Sequence, residues 1–275
     1  MRGKIQSIVS ANWLSVALKS GTRIHVTESG RAPKMNDSFV LESYLKAHIP
    51  NSSYTNLVEL ADQTSPLPLT VPSSEQFAQY ASERGITNED HVVIYDQTPN
   101  VSFQYSVSRT WFLFKLFGHE KVSILDGGIH AWIKDGQAVT DEQSSFKKSV
   151  YNPKLNAEML KNYEDIMRNS KCNNSEFQLL DARGEANFMR GNVPHAKNVP
   201  FSEFYNEDGT FKDCEQLELV FEQKGVNLDS PTVAMCNAGM SACLLSLAAH
   251  ELGYQMPIYD GSWSEILFKQ QTEPS

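Results

Sequence analysis

Residues 213–236, DCEQLELVFEQKGVNLDSPTVAMC, run from a helix pattern through a glycine into a short apolar strand that ends on a cysteine. EQLELVFEQKG places its apolar residues on one helical face and closes at Gly225, and PTVAMC, flanked by Asp229 and Pro231, reads as a strand. Residues 73–96, SSEQFAQYASERGITNEDHVVIYD, repeat this pattern without a gap. Glu75 matches Glu215, Gly85 matches Gly225, Val93 matches Val233, and Asp96 stands where Cys236 stands. In this copy Ser73 or Ser74 caps a helix containing Phe77, Ala78 and Ala81, Gly85 ends it, and HVVIYD follows as the strand.

The repeat extends outward. HIP at 48–50 is echoed by NVP at 192–194, RIHVTES by FQLLDAR, and FGHEKVSILDGG by LGYQMPIYDGSW. A succession of strand, loop, helix and strand in each half implies two α/β domains, each a mainly parallel sheet flanked by helices. A chain of 275 residues is also long for one domain. The apolar periodicity lapses in DEQSSFKKSVYNPKLN, so the domains are expected at residues 1–140 and 157–275, with 141–156 as the linker.

Hydrophobic residues make up 40% and charged residues 21% of the chain, a globular composition. A formal net charge of −9 argues against nucleic-acid and anionic-membrane partners, so an anionic substrate must be held by local positive features. The N-terminus has two early cations but no signal-peptide core. A cytoplasmic protein is expected, a short mitochondrial presequence being the second reading. No apolar run approaches the roughly 18 residues that cross a bilayer. Cysteines at 172, 214, 236 and 243 lack metal-ligand spacing, so neither zinc nor a disulfide framework is expected.

Cys236 is expected at the carboxyl end of a parallel strand, where open α/β sheets bind ligands. The segment Cys236, Asn237, Ala238, Gly239, Met240, Ser241 is small around its glycine, so its N–H groups can curl toward a common centre ahead of the next helix. Such a nest and the helix dipole favour thiolate over thiol, and a free thiol, only about 3% ionised at neutral pH, needs that help. The competing reading is a small buried hydrophobe, the ordinary fate of a free cysteine. Position favours the nucleophile for Cys236, and the apolar helix favours burial for Cys243. Cys172 and Cys214 are assigned nothing.

The chain resembles the two-domain rhodanese-like sulfurtransferases, which include thiosulfate and 3-mercaptopyruvate sulfurtransferases. The likeness rests on the order of VSANWL at 9–14, HIP, TSP at 64–66, HVVIYD, FGHEKVSILDGGIHAW at 117–132, LLDARGEANF at 179–188, NVPF at 198–201 and YDGSW at 259–263. It implies tandem rhodanese-like domains. The first is a non-catalytic copy with Asp96 at the cysteine position, and in the second Cys236 accepts sulfur as a persulfide. The donor is small and anionic, and the acceptor is cyanide or a thiol such as that of thioredoxin. No metal or organic cofactor is required.

Arg183, just after a strand, is the first candidate to hold the donor's negative group, against a structural arginine tied to Asp181 or Glu185. Arg190 is the second candidate. Asn237, Ala238, Gly239, Met240 and Ser241 are expected to line the donor, with Asn237 and Ser241 also suited to turn and cap roles. Relatives place lysine or serine where this chain has Ala238, which favours mercaptopyruvate over thiosulfate and leaves a catalytically weak sulfur carrier as the alternative function. The six-residue spacing from Cys236 to Ala242 lacks the arginine that closes a cysteine-phosphatase loop. His48 and His195 are expected to fix loops by hydrogen bonds, Trp132 and Trp263 to anchor the repeated fold, and the helix after Arg109 to form core and domain interface.

Overall fold

The computed structural model describes residues 5–30, 38–97, 105–172 and 175–272. The early cations of the N-terminus lie outside the described residues. Among the described residues, ten strands form two five-stranded parallel sheets. In the first, β1 (Ile8–Val9), β2 (Ile24–Gly30), β3 (Ser53–Asn56), β4 (His91–Tyr95) and β5 (Val122–Leu125) take the order β1-β5-β4-β2-β3. In the second, β6 (Leu160–Lys161), β7 (Gln178–Asp181), β8 (Lys197–Asn198), β9 (Thr232–Met235) and β10 (Ile258–Tyr259) take the order β6-β10-β9-β7-β8. The two orders correspond strand for strand, as the internal repeat requires.

The duplicated helix signals hold at atomic detail. Ser73 caps the helix Ser74–Glu83 through a box with Gln76, and Asp213 caps Cys214–Gln223 through a box with Gln216. Reciprocal capping satisfies N–H groups that a helix start leaves without partners. The strands that follow, VVIY in β4 and TVAM in β9, are buried throughout, because helices cover both faces of a parallel sheet.

The two domains share one core. The helix Tyr105–Leu116 of the first packs against Ala242–Glu251 of the second, bringing Trp111, Leu113, Leu244 and Leu247 into a single buried cluster. The expected interface role of the aromatic helix is therefore met. Residues 141–156 form no helix or strand. They are nonetheless fixed along the first domain: Tyr151 is buried, Ser149 N–H donates to the Ser82 carbonyl at 2.9 Å, and Lys154 N–H donates to that of Phe117 at 2.9 Å. Among the described residues, no helix is long and apolar enough to cross a membrane.

Candidate active site

Strand register assembles the site. Asp181 in β7 lies beside Met235 in β9, and Ile258 in β10 lies beside Ala234, so the segments after all three strands emerge together. Those segments are DAR, the Cys236 loop and YDGSW. Backbone bonds lock them: Trp263 N–H donates to the Cys236 carbonyl at 3.0 Å and Ser264 N–H to that of Asn237 at 2.9 Å.

Cys236 follows β9 directly, as expected, but the residue is only 1% exposed. Its surroundings are not purely hydrocarbon. Most of the loop's carbonyls are engaged: Gly239 O accepts from Arg109 Nη1 and from the Cys243 thiol, Met240 O from Cys243 N–H, and Ser241 O from Leu244 N–H, while that of Ala238 has no donor among the described residues. The N–H groups of Asn237, Ala238, Met240, Ser241 and Ala242 have no acceptor among the described residues. A loop with five open amides against one open carbonyl has an excess of donors and suits an anion.

Two further amides meet at a residue that sequence reading passed over. Ser262 Oγ accepts from Cys236 N–H at 3.0 Å and from Gly239 N–H at 3.2 Å. Its own hydrogen goes to the Tyr259 carbonyl at 2.7 Å, a much stronger contact than the Cys236 sulfur at 3.9 Å. Ser262 therefore fixes the loop more than it touches the sulfur directly. Its signal in the sequence was present in YDGSW, but only chain folding reveals that this hydroxyl enters the loop.

Gly239 is required twice over. It adopts φ +69°, and a Cβ there would stand 2.6 Å from Asp260 Oδ1 and 2.8 Å from the Asp260 carbonyl. Ala238, Met240 and Ser241 are buried beside it, whereas Asn237 is exposed. Ser241 starts the helix Ala242–Glu251 without a side-chain cap bond, so the expected cap role is not seen. Cys243 is wholly buried, and burial pushes its thiol up to about 12, which keeps it protonated.

Arg183 is held by its neighbour. Nε donates to both oxygens of Asp181 at 3.0 Å, Nη2 donates to Asp181 Oδ2 at 2.6 Å and to the Gly191 carbonyl at 2.8 Å, and the guanidinium lies 4.5 Å over the Trp263 ring. Most of its fork is thus committed within the protein. Arg190 ends the short helix Glu185–Met189 and is exposed, one residue before Gly191, which packs on Trp263. Trp263 is half-buried, while Trp132 anchors the first domain by donating Nε1–H to the Ala138 carbonyl at 2.8 Å. His48 is buried with its ring nitrogens facing the carbonyls of Tyr44 and Glu142. His195 departs from expectation: it is exposed at φ +65°, and its ring makes no hydrogen bond among the described residues.

The first domain reproduces the frame without the chemistry. Ile129 N–H donates to the Asp96 carbonyl at 2.9 Å, just as Trp263 N–H donates to that of Cys236. Gly128 sits where the second domain has Ser262, and a Cβ on it would lie 2.5 Å from the Asp96 carbonyl oxygen. Thiol and hydroxyl are both replaced in this copy.

The rhodanese-like domain family matches residues 35–135 and 163–269. Thiosulfate sulfurtransferase of Gallus gallus is 35% identical over 273 residues, covering 94% of this chain and 93% of the relative. Human 3-mercaptopyruvate sulfurtransferase is 32% identical, covering 98% and 94%. The crystal structure of SseA from Escherichia coli, a 3-mercaptopyruvate sulfotransferase, superimposes with a TM-score of 0.85 at 32% identity, covering 94% of this chain and 99% of that one. The chain belongs to the rhodanese-like family and is a two-domain sulfurtransferase.

Proposed function

We propose that this rhodanese-like sulfurtransferase moves a sulfane sulfur through a persulfide on Cys236, with 3-mercaptopyruvate preferred to thiosulfate as donor. The observation that supports it most is the donor-rich loop: five open amides against one open carbonyl, and one thiol at its base. In the first half-reaction the Cys236 thiolate attacks the donor sulfur. The carbon–sulfur bond of mercaptopyruvate breaks, and its electron pair takes a proton to leave pyruvate; with thiosulfate, the sulfur–sulfur bond breaks and sulfite leaves. In the second, an acceptor thiolate takes the terminal sulfur and the Cys236 thiolate is restored. Open amides stabilise the anion at each stage.

Ala238 puts no charge beside a leaving sulfite, which is why mercaptopyruvate is the preferred donor. Arg183 is occupied by Asp181 and orders the site through Trp263, so the exposed Arg190 is the cation assigned to the donor carboxylate. Cyanide or a small thiol, such as that of thioredoxin, serves as acceptor, and the cytoplasm is the expected compartment. The 1% exposure of Cys236 favours a second reading, a sulfur carrier with slow turnover.

Mass spectrometry of wild type and Cys236→Ala after incubation with each donor tests the reading. One added sulfur on the Cys236 peptide, lost on adding a thiol and absent in the variant, is expected. Equal transfer by variant and wild type would end the proposal, and a persulfide that forms once but does not turn over would favour the carrier.

A further inference from the structure

The helix Tyr105–Leu116 belongs to the first domain and is buried along almost its whole length, yet it carries an arginine that is 2% exposed. Arg109 Nη1 donates to Asp260 Oδ1 at 2.8 Å and to the Gly239 carbonyl at 3.1 Å, and lies 3.8 Å from the Cys243 sulfur. Nη2 donates to the Leu69 carbonyl at 2.6 Å. Asp260 completes the clamp: its second oxygen accepts from Val71 N–H at 2.8 Å. One guanidinium thus ties residues 69–71 of the first domain to the nucleophile loop and the YDGSW turn of the second. Leu69 is held at φ +60°, a conformation a leucine keeps only when its surroundings impose it.

Stability alone does not account for this pair. A buried ion pair replaced by apolar residues of similar volume is often no less stable, because desolvation cancels much of the attraction. What the pair does supply is direction. Gly239 is a glycine at positive φ, free to turn its peptide, and among the described residues its carbonyl is the one loop carbonyl bound by a charged donor. Turned inward, that oxygen would set its lone pairs against an anionic sulfur.

We propose that Arg109, acting with Asp260, is a positioning residue contributed by the first domain, which holds the Gly239 carbonyl away from Cys236 so that the loop's amides face the sulfur. The proposal rests on the sulfurtransferase reading of Cys236. It gives the repeat that lacks a nucleophile a role in the reaction, since the site is complete only with both domains docked. Lysine cannot substitute, because a single ammonium does not span two carbonyls and a carboxylate in one plane.

Two variants test it, Arg109→Lys and the double variant Arg109→Met/Asp260→Leu, which replaces the ion pair with apolar side chains, circular dichroism establishing that each is folded before it is assayed. Steady-state transfer from 3-mercaptopyruvate to a small thiol should lose about 10- to 100-fold in kcat, as for a misplaced reactive group, with KM changed far less. Amide hydrogen exchange should quicken about tenfold in peptides covering 69–72 and 236–241, as expected for a lost hydrogen bond, with β4 and β9 unchanged. Folded variants with wild-type kcat and wild-type loop exchange would overturn the proposal, as would faster exchange spread evenly over both sheets. Hydrogen exchange needs no turnover. If wild type forms no persulfide, the function reading fails while the exchange result still decides whether Arg109 holds the loop.

Discussion

Replacing Ser262 with alanine removes a single oxygen that two buried amides share, those of Cys236 and Gly239. Each buried donor left without an acceptor costs about 1–3 kcal/mol, so the loss of both should destabilise the protein by roughly 2–6 kcal/mol. At about 2–4 °C per kcal/mol for a chain of this size, that corresponds to a fall in melting temperature of roughly 4–24 °C. A second variant separates the hydroxyl from the backbone. Ser262 sits at φ +52°, which costs a side-chain-bearing residue about 1–2 kcal/mol and glycine little. Ser262→Gly loses the same hydroxyl but regains about 1 kcal/mol, placing it between Ser262→Ala and wild type. Differential scanning calorimetry gives the order, and the rate of sulfur transfer should fall in both variants. A Ser262→Ala protein melting within about 2 °C of wild type, or one more stable than Ser262→Gly, would refute the reasoning.

Two other outcomes follow from single contacts. Gly239→Ala meets both a strained left-handed φ and a 2.6 Å approach to Asp260 Oδ1, so urea unfolding should show a loss of about 2–4 kcal/mol and persulfide formation should nearly cease. Burial pushes Glu28 up to about 8, so the folded protein holds a proton that the unfolded chain releases. Its stability contribution is complete below about pH 4.5 and is lost as pH rises through about 8. Burial lowers His25 and His91 to about 4, so neither titrates above neutrality, and a decline of about 1 kcal/mol between pH 7 and 9 reads Glu28. Glu28→Gln should flatten that decline when unfolding is followed against denaturant at each pH.

The repeat, the two-domain division and the position of Cys236 were legible in sequence because they depend on local signals. The cap at Ser73, glycines at 85 and 225 and two apolar strands state their structure within a window of twenty-odd residues. The register of those signals between halves was enough to place Asp96 and Cys236 at equivalent strand ends. Arg183 was legible only as a choice between substrate and Asp181, and the carboxylate two residues away took most of the fork.

What the sequence by itself determined, then, is which elements form and where a nucleophile stands in the chain. The tertiary structure alone decided what surrounds it: the Ser262 hydroxyl that gathers two amides, the Arg109 guanidinium that crosses the domain boundary, and the near-complete burial of the thiol. Ser262 and Arg109 lie 26 and 127 positions from Cys236 in the chain. No local propensity records such a contact. It exists because parallel strands deliver their carboxyl ends to one edge and because the apolar helices of the two domains close into a common core around a buried pair of opposite charges.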